Sequence, residues 1–76
     1  MPRYFVTTYD GFKASDRDGI ELPDLDALEG VLRQTLAAIM HDEGRHPGRN
    51  EFWADALDER NERVMTARIS MSVARP

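Results

Sequence analysis

His41 and His46 flank Asp42 and Glu43, so two imidazoles and two carboxylates share one short stretch. These are the donor types of a zinc or similar divalent-cation site. Their spacing matches no established ligand motif, and a helix ending at Gly44 separates the two histidines. An imidazolium at a helix C-terminus also interacts favourably with the macrodipole, which gives His41 an electrostatic role without any metal. A second cluster, Asp16, Asp18 and Glu21, carries the Asp-x-Asp-Gly opening of a calcium loop but lacks the rest of its ligand pattern. It reads as a polar turn with Gly19 at positive φ. The hydroxyl candidates are Ser15, Ser70, Ser72 and four threonines, and none sits in a nucleophile elbow or beside a positioned base. No phosphate loop or dinucleotide-binding glycine pattern occurs. The expectation is a protein with no catalytic residue, no metal and no cofactor.

The chain has 76 residues and a formal charge of −4, with 41% hydrophobic and 32% charged residues, an ordinary globular balance. Its length suits one domain over 1–76, too small and too thin for a deep pocket. There is no cysteine, so disulfides and thiolate chemistry are excluded. Below roughly 70–80 residues a single core supplies only a few kcal/mol, and self-association is one way to supplement it. Residues 1–44 carry four basic against nine acidic groups, a net of −5, whereas residues 59–76 carry four against two, a net of +2. An acidic domain of pI near 5.0 repels a phosphate backbone, which argues against nucleic acid as a partner. No apolar run approaches the length of a membrane span, and the start Met1-Pro2-Arg3-Tyr4-Phe5 has no signal-peptide core, so the expected location is cytoplasmic.

The elements that position these residues follow from periodicity. Residues 4–9 are aromatic and β-branched, which predicts a strand over 3–9, and Asp10-Gly11 marks a turn. Residues 12–22 read as a short, irregular second strand interrupted at Asp16-Arg17-Asp18-Gly19 and ended by Pro23. A helix over 25–43 is predicted by Leu25, Leu28, Val31, Leu32, Leu36, Ile39 and Met40 on one face, with Asp24 as N-cap and Gly44 as C-cap. The last third reads as a hairpin: a strand at 52–57, a turn with Asn61 in the left-handed region, and a strand at 63–73. In that final strand Met65, Ala67, Ile69, Met71 and Val73 alternate with Val64, Thr66, Arg68, Ser70 and Ser72, so one face is buried. The predicted fold is α+β, β-β-α-β-β, one helix on one face of a small sheet.

Two surfaces stand out. The outer side of the helix carries Ala27, Gly30, Gln34, Ala37, Ala38 and His41, nearly all small and uncharged, with Asp26, Glu29 and Arg33 in one wedge. Gly30 costs about 1 kcal/mol relative to alanine in a helix interior, and close approach of a helix from a second copy would account for it; alternatively, alanine, the best helix former, fills an indifferent surface. The final strand is also longer than its hairpin partner, and its overhang, 70–73, calls for another strand from this chain or a second copy. Trp53 and Arg68 share the outer sheet face, either as interface anchors or as a cation–π pair covering each other. The candidate interaction surface is therefore Ala27, Gly30, Gln34, Ala37, Trp53 and Arg68.

Pro2-Arg3-Tyr4-Phe5, Asp10-Gly11, Asp16, Asp18-Gly19 and Glu21-Leu22-Pro23-Asp24-Leu25, followed by an alanine-rich helix, resemble a family of short uncharacterised bacterial proteins, a domain of unknown function. The resemblance supports the order of elements and brings no activity. A second similarity is to type II antitoxins with a degraded RNase H-like fold, which open with an aromatic strand, a glycine turn and Pro-Asp-Leu, although here Leu25 already belongs to the helix where those proteins have a further strand. The expected function is a small protein-interaction module, a homodimer. The alternatives are an antitoxin-like regulator that neutralises a basic protein with its acidic half, and a metal- or small-molecule-binding domain.

Overall fold

The computed structural model describes residues 1–45 and 48–76. It contains β1 (Arg3–Tyr9), β2 (Lys13–Ser15), β3 (Ile20–Glu21), α1 (Leu25–Glu43), β4 (Gly48–Leu57) and β5 (Arg63–Val73). All strand pairs are antiparallel, in the order β2-β1-β4-β5, and β3 pairs with the start of β1. The fold is α+β, with one helix on one face of the sheet.

The core forms where two periodicities meet. Leu28, Leu32, Leu36 and Met40 recur every four residues on α1 and are buried against Tyr4, Phe52, Ala54 and Ala56. Ala54 and Ala56 are fully buried, and their short side chains let the helix lie close to the sheet. The helix begins where the Asp24 carboxylate accepts the Ala27 amide at 2.9 Å. It ends at Gly44, whose amide donates to the Met40 carbonyl at 2.9 Å, and a Cβ at that position would collide with this same carbonyl. No helix among the described residues is long and apolar enough to cross a membrane.

Three local features differ from the sequence expectation. The stretch 12–22 forms two separate short strands, because the Asp16 carboxylate accepts the amides of Asp18 and Gly19 and folds the chain into a turn. The hairpin partner starts at Gly48, ahead of Phe52, so residues 70–73 pair within the chain: Glu51 with Ser70, Asn50 with Met71, Arg49 with Ser72 and Gly48 with Val73. The overhang therefore needs no further strand. Finally, Ala56 pairs with Met65 but Leu57 with Arg63, a bulge that leaves Val64 without a cross-strand partner. Val64 consequently packs against the core, although strict alternation assigns it to the outer face.

Candidate functional site

Among the described residues, the types able to do chemistry do not converge. His41 is exposed in the last turn of α1, and His46 lies outside the described residues. Asp16 is occupied by its turn, and Ser15 shares a hydrogen bond with Thr7 at 3.2 Å. Ser70 and Ser72 are exposed on the helix-free face of β5. Among the described residues no three histidine or carboxylate side chains gather closely enough to hold a metal ion.

Arg3 ties the N-terminal elements together. Its guanidinium donates to the Asp18 carbonyl at 2.7 Å and to the Glu21 carboxylate at 3.0 Å, while its amide donates to Glu59 at 2.9 Å. Gly19 has φ +76, and a Cβ there would stand 2.8 Å from Arg3 Cγ and 2.9 Å from Phe5 Cε1. The Leu22 amide closes the same unit by donating to the Pro2 carbonyl at 3.0 Å. These are structural contacts. Spacing alone did not mark Arg3, because a lone arginine shows no sign of which carbonyl it will meet.

The helix-free face of the sheet carries a row of larger groups. Lys13 pairs with Tyr9, Tyr9 with Trp53, and Trp53 with Arg68. The Tyr9 and Trp53 rings stack with centroids 5.3 Å apart and an interplanar angle of 18°, and the Arg68 guanidinium stands 5.7 Å from the Trp53 ring. Trp53 and Arg68 are thus brought together by strand register, as parity suggests. In the neighbouring row Thr66 donates to Asp55 at 2.7 Å.

The remaining candidate is the edge opposite β2. Among the described residues no strand pairs with the outer edge of β5, which is 11 residues long and free of proline. Beside it runs an open groove of about 570 Å³ between α1 and β5. Leu36, Met65, Ala67 and Ile69 give the groove apolar walls, with Glu29, Arg33 and Ala37 along the helix flank. Glu29 and Arg33 form an exposed ion pair at 3.2 Å. Gly30, Gln34 and Ala37 are exposed on the outer side of α1 and Ala27 is partly covered; a Cβ at Gly30 would meet nothing within 4 Å. No contact with the described residues therefore requires glycine at that position. Farther along the helix-side face of β5, Met71 and Val73 remain 49% and 62% exposed.

The chain belongs to the family described as Domain of unknown function (DUF6894), whose model matches residues 3–70. No curated protein and no solved structure matches it significantly. The Arg3 unit and the Asp24 cap lie within the matched stretch. What those residues do here is position β1, the 16–21 turn and α1.

Proposed function

We propose that this protein is a small protein-interaction module that acts as a homodimer and catalyses no reaction. The observation that carries this reading is the unpaired outer edge of β5. A long exposed edge strand presents a row of unsatisfied amides and carbonyls, and proteins normally shorten, kink, charge or cover such edges. Here the edge runs the full 11 residues, and its one bulge lies near the start, at Val64. The apolar groove beside it, and the exposed Met71 and Val73, extend the surface that a partner would cover.

Other features fit the same reading. A chain of 76 residues without cysteine has a small core and no disulfide to reinforce it. The flank of α1 along the groove carries Ala37, which offers little steric resistance to a second chain. Trp53 and Arg68 lie on the opposite face of the sheet, where they close on each other and on Tyr9; this reading gives them a stabilising role there. Light scattering across a concentration series tests the proposal: a mass of twice 8.7 kDa supports it. A mass of 8.7 kDa at every concentration overturns the homodimer and turns the same edge over to a different protein.

A further inference from the structure

We infer that the partner on this edge is the β5 strand of a second copy, paired antiparallel about a two-fold axis that passes beside Ile69. The inference rests on the homodimer reading above and specifies its contact. A two-fold axis perpendicular to the sheet makes an edge strand its own antiparallel complement, and it keeps both helices on the same face.

The position of α1 fits this arrangement. The helix packs against β4 and β5 alike, as a helix axis over the boundary between them requires. Strands in a sheet are about 4.8 Å apart. An axis half a spacing beyond β5 therefore sets the two helices on the order of 10 Å apart, at the upper end of the ordinary packing range of about 8–10 Å. The groove between α1 and β5 then faces its copy, and Ala37, which lines that groove together with Ile69, is small enough for the helices to meet.

Charge and apolar exposure favour an axis at Ile69 over one at Arg68. An axis at Arg68 would set two guanidinium groups directly opposite each other, which is unfavourable. An axis at Ile69 pairs Arg68 with the partner's Ser70 and Thr66 with the partner's Ser72 on the outer face. On the helix side it pairs Ala67 with the partner's Met71 and Met65 with the partner's Val73. Met71 and Val73, exposed in the single chain, thereby gain apolar neighbours.

The absence of cysteine allows a direct test with single thiols. Ile69→Cys should form a disulfide-linked dimer on mild oxidation. A mixture of Arg68→Cys and Ser70→Cys chains, both substituted on the exposed outer face, should form the cross-linked heterodimer in large excess over either homodimer. Thr66→Cys alone should stay uncrosslinked. The mixed pair keeps the test decisive if Ile69→Cys folds poorly. If the wild type is a dimer but neither Ile69→Cys nor the mixed Arg68→Cys and Ser70→Cys pair cross-links, the β5 contact is overturned while the homodimer stands. A wild-type monomer overturns both.

Discussion

Gly48 and Val73 pair at the far end of the β4–β5 ladder, well past the last rung between β1 and β4 at Tyr9 and Trp53. Among the described residues, the end of the hairpin is therefore a two-stranded arm with β1 absent from one side and no strand on the other. Isolated two-stranded ribbons are marginal in water. Pairing through β5 turns that arm into part of a four-stranded section with the partner's hairpin. Several consequences can be measured.

Ala37→Arg places a long cation where the two helices meet in the proposed dimer. Because Ala37 is exposed in the single chain, the fold itself should change by no more than about 0.5 kcal/mol. Dimer affinity should fall by at least tenfold in analytical ultracentrifugation, and unchanged affinity would move the contact away from this flank.

Gly30→Ala should raise the stability of the helix by up to about 1 kcal/mol, since the added methyl meets nothing within 4 Å and alanine is the better helix former. Thermal melting of the two proteins at the same concentration is the readout. A loss of stability would mean that another chain comes close to Gly30.

Gly19→Ala should destabilise the protein by roughly 1–3 kcal/mol, because its φ of +76 disfavours a side chain and the new Cβ would press on Arg3 and Phe5. Arg3→Ala should cost less, about 1 kcal/mol, as its ion pair with Glu21 is half-exposed and largely screened. Urea midpoints measured side by side should rank Gly19→Ala below Arg3→Ala, and the reverse order would contradict the packing described.

Leu32→Ala removes a fully buried side chain beneath α1 and should cost about 2–5 kcal/mol. In a domain this small that is most of the available stability. Circular dichroism should show a largely unfolded chain at temperatures where the wild type is folded, and a near-native melt would mean that the core repacks freely.

Much of the fold is legible in the sequence because local signals agree with the tertiary outcome. The four-residue spacing of Leu28, Leu32, Leu36 and Met40 and the Asp24 cap specify α1 without knowledge of the sheet. The alternation from Met65 to Val73 likewise identifies which face of β5 meets the helix. The first half of β4 is hidden because Gly48, Arg49, Asn50 and Glu51 have weak strand preference, and what makes them a strand is the ladder offered by residues 70–73. The bulge at Val64 depends on the register of two strands, which neither sequence segment states alone. For the surface, the small residues of α1 and the length of β5 are readable, but the groove between them exists only once helix and sheet are packed. The overhang expected at 70–73 is paired to β4, whose start is hidden in the sequence, and among the described residues no strand pairs with the outer edge of β5.

Amide hydrogen exchange of β5 as a function of protein concentration tests the dimer contact most directly. In the edge-paired dimer, amides within residues 65–73 are protected at high concentration and exchange faster as dilution dissociates the copies, while those of the central strand β4 at residues 53–57 stay protected. Exchange of β5 that is the same at all concentrations across the dimer–monomer range would contradict pairing through this edge.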